Sequence, residues 1–284
     1  MKVYIKKLWV AIAALCVSAS ASAFDFKVDN IYYNKISNTA VEVTYKENHN
    51  ASYSGTVNIP SQVAYEGNTY SVTTIGYRAF FGCEDVTAVT IPTTVTKISS
   101  DAFRNCEGLI SLNLPTSVTS IGTSAFFGCR NVSSLTIPNS VHTIGGGAFY
   151  NCNGLKLLVI PSSVSYISDA AFYSCKGLES IYCQKTTPPS VGSYRFSPYT
   201  YSNATLYVPK GSKSAYKDIN SPWSNFDNIV EGEYNGVDDV IVDGANREVV
   251  GYYNMQGIMS SEPWSGLNIV VYSDGSHSKI VHKQ

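Results

Sequence analysis

The feature that most constrains this chain is a repeat. Ala-Phe pairs stand at Ala79-Phe80, Ala102-Phe103, Ala125-Phe126, Ala148-Phe149 and Ala171-Phe172, each 23 residues after the last. A cysteine follows each pair, at Cys83, Cys106, Cys129, Cys152 and Cys175. Self-similarity at one fixed period of about 20 to 50 residues is the mark of stacked copies of a small unit, not of a globular core.

The apolar residues between these landmarks keep register. They fall at Val86, Val89, Ile91; Leu109, Leu112, Leu114; Val132, Leu135, Ile137; Leu155, Leu158, Ile160; and Leu178, Ile181, Cys183. Each triplet predicts a short strand. Pro92, Pro115, Pro138 and Pro161 each remove a ladder donor where a strand should end. A second apolar pair then recurs at Val95 and Ile98, Val118 and Ile121, Val141 and Ile144, Val164 and Ile167. One coil is therefore a strand, a bend, an apolar return segment, and a turn or short helix carrying the phenylalanine. No coil can bury its apolar face alone, so coils stacked at roughly 4.8 Å share one continuous core. The expectation is a β-rich solenoid of 23-residue coils over residues 76–185, with a parallel sheet on one face and turns or short helices on the other.

The pattern C-x-x-L-x-x-L-x-L-P-x-S-V-x-x-I-x-x-x-A-F resembles the BspA-like leucine-rich-repeat family of bacterial surface proteins. The resemblance extends over roughly residues 24–231. Ile31-Tyr32-Tyr33, Val57-Asn58-Ile59-Pro60 and residues 70–75 resemble that family's N-terminal cap, placed at 24–75; Thr187-Pro188-Pro189, Leu206-Tyr207-Val208-Pro209 and residues 223–229 resemble its C-terminal cap, placed at 186–233. Caps are needed because an end coil would expose core and an unpaired strand edge. The resemblance implies a non-enzymatic protein, secreted or at the cell surface, that binds host or matrix proteins through the solenoid surface without a cofactor.

The flanks carry other signals. Lys2, Lys6 and Lys7 precede an apolar run from Leu8 to Val17, and Ala21-Ser22-Ala23 supplies the small residues of a cleavage site, so residues 1–23 read as a removed export signal. The apolar run is about half of the roughly 20 residues a membrane span requires. Cys16 follows Leu15, where lipoprotein signals carry Gly, Ala or Ser, so a lipid anchor is not expected. Loss of the signal removes three lysines and no acids, leaving 17 minus 21, a charge of −4; a basic nucleic-acid surface is not indicated.

Past Glu233, Asn235-Gly236-Val237-Asp238-Asp239 reads as a linker, and 234–284 as a small all-β module of three or four short strands joined by glycine turns. The module resembles the C-terminal tails of secreted Bacteroidetes-type proteins, whose Tyr-Asn-x-x-Gly element is matched from Tyr253 to Gly257. Its ending departs from theirs, with Asp274-Gly275-Ser276-His277 before Lys279, and a sorting signal and a passive module both remain open.

Chemistry-bearing residues are sparse. Export makes disulfides possible, but matching residues on stacked coils point the same way and need not meet disulfide geometry, so a buried thiol ladder is expected. Zinc needs four ligands converging on a point, whereas these cysteines lie along a line. His49, His142, His277 and His282 form no H-E-x-x-H or comparable constellation. Gly145-Gly146-Gly147 aligns with Gly122-Thr123-Ser124, the turn before Ala-Phe, and no Lys-Ser or Lys-Thr follows it as in a phosphate loop. Asp101, Asp169 and Glu179 share no column and suggest no acid–base pair.

What remains is surface. Residues between the inward positions of each strand should line the concave face, and they run from Asn113, Ser134 and Thr136 to the apolar Leu157, Val159 and Tyr182. These six are the expected partner-binding residues for an extracellular protein ligand, with coverage of the apolar end by the C-terminal cap as the competing arrangement. A carbohydrate-binding module is the alternative, with Tyr182, Tyr199, Tyr201, Trp223 and Trp264 stacking on sugar rings; it needs at least two such rings coplanar on an open face.

Overall fold

The structure is a computed structural model describing residues 24–46 and 51–231, together with the strands Val249–Tyr253, Met259–Ser260, Gly266–Tyr272 and His277–His282. The expected export signal, residues 1–23, lies outside the described residues. The repeats wind into a β-solenoid of about seven coils of roughly 23 residues.

Two sheets run along the solenoid. The longer is built from the apolar return segments, which pair as strands as well as connecting them. Asn68–Ile75, Lys97–Ile98, Ser120–Ile121, Thr143–Ile144, Tyr166–Ile167 and Ser190–Val191 pair in parallel, placing Ile75, Ile98, Ile121, Ile144, Ile167 and Val191 side by side. Every isoleucine in this column is buried. Two residues per coil satisfy a strand definition, and six coils in register satisfy a sheet, because the ladder is propagated across coils.

The other sheet comes from the predicted strands. Ser134–Thr136, Leu157–Ile160, Ser180–Cys183, Thr205–Val208 and Asn228–Glu231 pair in parallel, and Leu135, Leu158, Ile181, Leu206 and Ile229 form its inward column. Further back, Gly55–Asn58 pairs with Val86–Thr90. Between these two groups the strand expected at 109–114 is absent, although Leu109, Leu112 and Leu114 still point inward and are buried. The outward column explains the gap. It reads Thr90, Asn113, Thr136, Val159, Tyr182, Tyr207, Val230, and Asn113 is its one residue that is neither β-branched nor aromatic.

The corner opposite these strands is made of turns. The Phe80 amide donates to Ala102 O on the next coil (2.7 Å), Phe103 to Ala125 O (2.7 Å), Phe126 to Ala148 O (2.7 Å) and Phe149 to Ala171 O (2.8 Å). Two positions per coil take positive φ: Arg78, Asp101, Ser124, Gly147 and Ala170 in one column, Gly82, Asn105, Gly128, Asn151 and Ser174 in the other. The glycine run thus lies in an ordinary corner, where Gly147 (φ 58°) occupies a left-handed site that L residues adopt only at a cost. Inside the corner the phenylalanine rings stack from Phe80 to Phe196 with centroids 4.7–5.6 Å apart.

Both ends are closed. Phe26–Val28, Ile31–Lys35 and Ala40–Thr44 form an antiparallel meander that joins the long sheet in parallel at Asn68–Ile75, and Tyr53 covers the first ring, Phe80, at 4.5 Å. At the far end Trp223 and Phe226 meet Phe196 edge-on, at 5.7 and 5.3 Å. Trp223 Nε1 donates to Pro189 O (2.9 Å), so its one polar atom is satisfied inside the cap. The helix Pro198–Asn203 starts at Ser197, whose Oγ accepts from the Thr200 amide at 3.2 Å. The tail strands form a separate antiparallel sheet in the order Met259–Ser260, Val249–Tyr253, Gly266–Tyr272, His277–His282.

Candidate functional site

The six expected partner-binding residues do stand in two adjoining outward columns, but they do not form one open patch. Asn113 is exposed, Ser134 and Thr136 are half-buried, and the apolar members are buried, with Leu157 at 6 %, Val159 at 2 % and Tyr182 at 8 % exposure. Those three form an apolar cluster distinct from the main core, joined by Tyr207, whose ring stacks on Tyr182 at 4.4 Å. The exposure expected of them on register grounds is therefore corrected. Register decides which side of a sheet a residue takes, and packing on that side decides whether solvent reaches it.

The aromatic residues considered for sugar stacking are dispersed. Trp223 is buried, Tyr182 lies against Tyr207, and Tyr201 meets Phe196 and Phe226 edge-on at 6.0 and 4.9 Å. Tyr199 is exposed, and Trp264 lies outside the described residues.

The six described cysteines are all free and buried. Their column does specific work: Cys106 Sγ donates to Phe80 O (3.0 Å), Cys129 to Phe103 O (3.2 Å), Cys152 to Phe126 O (3.2 Å) and Cys175 to Phe149 O (3.0 Å). A small residue with a weak donor thus reaches a carbonyl on the preceding coil without introducing a strongly hydrated group. Burial pushes the Cys129 thiol up to about 12 and raises Cys106 and Cys152 well above the ordinary range. Such thiols are poor nucleophiles and poor metal ligands. A parallel hydroxyl column binds the other corner: Thr94 Oγ1 donates to Val72 O (2.7 Å), Ser117 Oγ to Val95 O (2.6 Å), Ser163 Oγ to Val141 O (2.8 Å), and Ser140 Oγ to Val118 O.

Among the described residues no three His, Cys, Asp or Glu side chains gather where a metal could sit. His142 is exposed just before the strand Thr143–Ile144, its Nδ1 3.1 Å from Ser140 O. Asp101 lies between two arginines, 3.3 Å from Arg104 Nη1 and 3.7 Å from Arg78 Nε. Among the described residues no helix is long and apolar enough to cross a membrane.

One surface feature was missed in the sequence reading. The residue after each Ala-Phe pair is Phe81, Arg104, Phe127, Tyr150 or Tyr173, all half-buried on the outside of the turn corner. They form a second, external column: the Arg104 guanidinium lies over Phe127 at 4.1 Å, Phe127 stacks on Tyr150 at 4.8 Å, Tyr150 on Tyr173 at 5.8 Å, and Tyr173 meets Tyr194 edge-on at 6.2 Å. Arg78 caps Phe81 at 4.8 Å, and Tyr194 is 73 % exposed. The signal was available as an aromatic or arginine one step beyond an inward phenylalanine in every repeat.

The repeat matches a known family model. Residues 73–207 match the BspA type leucine rich repeat region in six copies. No curated protein matches the chain in sequence. A leucine-rich repeat protein from Bacteroides ovatus is 24 % identical over 74 % of this chain and 77 % of its own, with a TM-score of 0.39. A leucine rich cell surface protein from Faecalibacterium prausnitzii is 20 % identical over 65 % of this chain and 70 % of its own, TM-score 0.41. The T. pallidum leucine rich repeat protein is 19 % identical over 70 % of this chain and 97 % of its own, TM-score 0.46. With six repeat copies matched, and the leucine, isoleucine and phenylalanine columns of those residues stacked in the structure, residues 73–207 of this chain are leucine-rich repeats of the BspA type.

Proposed function

We propose that this protein is exported and binds an extracellular protein, with the external aromatic column of the turn corner as its contact surface. Leucine-rich repeats are in general interaction scaffolds without catalysis. The observation that carries the reading is the composition and continuity of that column. Arg104, Phe127, Tyr150, Tyr173 and Tyr194 touch in succession along the solenoid, with Phe81 at the same repeat position one coil earlier, and all six keep part of each side chain in solvent. Tyrosine and arginine held rigid by their neighbours are the residue types that dominate protein–protein contact energies, because little side-chain entropy is left to lose on binding. Rings stacked on one another offer a partner their edges and hydroxyls, which suits peptide contacts better than the flat face a sugar ring requires. The lysine-flanked apolar segment at residues 1–23 supports export.

The test is a screen of residues 24–284 against immobilised matrix proteins and a glycan array, repeated with the Tyr150→Ser/Tyr173→Ser double variant. Saturable binding to a protein, weakened about 30-fold or more by the double substitution, is the expected result. Binding only to glycans, or protein binding that the double variant leaves unchanged, would overturn the reading.

A further inference from the structure

The outer face of the Ser134–Glu231 sheet is covered at one end. Leu157, Val159 and Tyr182 face away from the core, yet they are buried as fully as core residues. Along the same outward column Thr90 and Asn113 are exposed on one side, and Val230 is exposed on the other, with Thr136 and Tyr207 half-buried between. The covered footprint is therefore about three strands wide, centred on Val159 and Tyr182. The burial is that of a single chain, so a second copy does not produce it. Among the described residues, Tyr207 is the hydrophobic side chain packed against the cluster. One partly buried tyrosine does not reduce Val159, a neighbouring strand away from Tyr182, to 2 % exposure.

We propose that the C-terminal β module of the same chain, the strands within residues 249–282, docks on this face over Val159, Tyr182 and Tyr207. Three observations identify it as the occupant. The chain leaves the solenoid from Asn228–Glu231, the edge strand of this very sheet, two strands from Ser180–Cys183 and so roughly 10 Å away. Residues 232–248 separate the two units, a length that spans up to about 55 Å when extended, so the reach is ample. The module is one four-stranded layer, about as wide as the footprint, and its strand Gly266–Tyr272 carries apolar residues at the successive positions Ile269, Val270 and Val271. Successive strand positions lie on opposite faces. A single sheet with apolar residues on both faces has no way to bury them except against another layer, and face-to-face packing of two sheets is the standard solution. The face that register alone nominates for a partner is thus filled from within, and the turn-corner column stays outside that footprint.

The test uses the full mature chain. With p-benzoylphenylalanine in place of Tyr207, irradiation should join position 207 to peptides from residues 249–282 within one chain. Crosslinks confined to residues 24–231, crosslinks between copies, or none would overturn the proposal. As a second measurement, Val159→Asp should raise amide exchange in Val249–Tyr253 and Gly266–Tyr272 at least about tenfold, with Ile144 and Ile167 in the opposite sheet unchanged. Unchanged tail exchange in a variant that keeps Ile144 and Ile167 protected would equally overturn it; if those two also lose protection the variant has unfolded, and the crosslink decides.

Discussion

Two side-chain atoms per coil hold much of the solenoid's lateral register. The cysteine Sγ satisfies a phenylalanine carbonyl of the preceding coil, and the Ser or Thr hydroxyl two residues after the strand-ending proline satisfies a valine carbonyl. Buried carbonyls left without a donor cost about 1–3 kcal/mol each, which is why these positions repeat as strictly as the leucines. The thiols also set a pH dependence. Cys129 has an ordinary pKa of 9.0 when solvated and about 12 in its folded surroundings. Below pH 9 both states keep the proton; between 9 and 12 only the unfolded chain loses it, so stability falls as pH rises. The slope should reach about 1.4 kcal/mol per pH unit for each such thiol, so the thermal unfolding midpoint should stay nearly level from pH 8 to about 9 and fall steadily from there to pH 11. Iodoacetamide at pH 8 should leave Cys106, Cys129 and Cys152 unmodified in the folded protein and label them in urea; rapid labelling of the folded protein would contradict the ladder. Glycine has a separate role at Gly177, where an added Cβ would sit 2.2 Å from Asn153 O. Gly177→Ala should therefore destabilise by about 1–3 kcal/mol, read from denaturant midpoints.

At the scale of the element, strands are made by their neighbours in space. Lys97–Ile98 and its equivalents are two residues long and would not be strands alone. They are invisible to any reading that looks for alternation over four or more residues, yet they build the longest sheet. The converse holds at 109–114, where a leucine triplet with the right spacing does not pair. The outward residue there is Asn113, and strand propensity differences of this kind amount to as much as about 1 kcal/mol. Asn113→Thr should join the two separate ladders, raise the unfolding free energy by about 0.5–1 kcal/mol, and slow amide exchange at Leu112 and Leu114. No gain in stability and no added protection would mean that the gap has another cause.

At the scale of the whole molecule, stability is close to a sum of coil and coil–coil terms, since each repeat meets only its neighbours. Removing one complete repeat, residues 127–149, should therefore leave a folded solenoid with the same circular dichroism per residue and a lower unfolding free energy. Removing 127–138, about half a repeat, should destroy the register of both sheets and of the Phe126–Phe149 stack, and cooperative unfolding with it. The caps confine this tolerance to the interior. Tyr53 at one end and Trp223 with Phe226 at the other close the ring column, so deletions that reach them should expose core and promote aggregation.

The repeat period, the inward columns, the corner turns and the free thiol ladder could all be read from the chain itself. Each follows from a local rule applied at 23-residue intervals, and a solenoid has almost no contacts beyond its neighbouring coils to override such a rule. What only the tertiary structure decided was exposure. Leu157, Val159 and Tyr182 were placed on the correct side of their sheet by register, but whether another layer lies over them depends on a contact between segments far apart in sequence, which no periodicity encodes. The turn-corner aromatics were legible as residues but not as a surface, because only the stacking of coils turns one half-exposed ring per repeat into a continuous column.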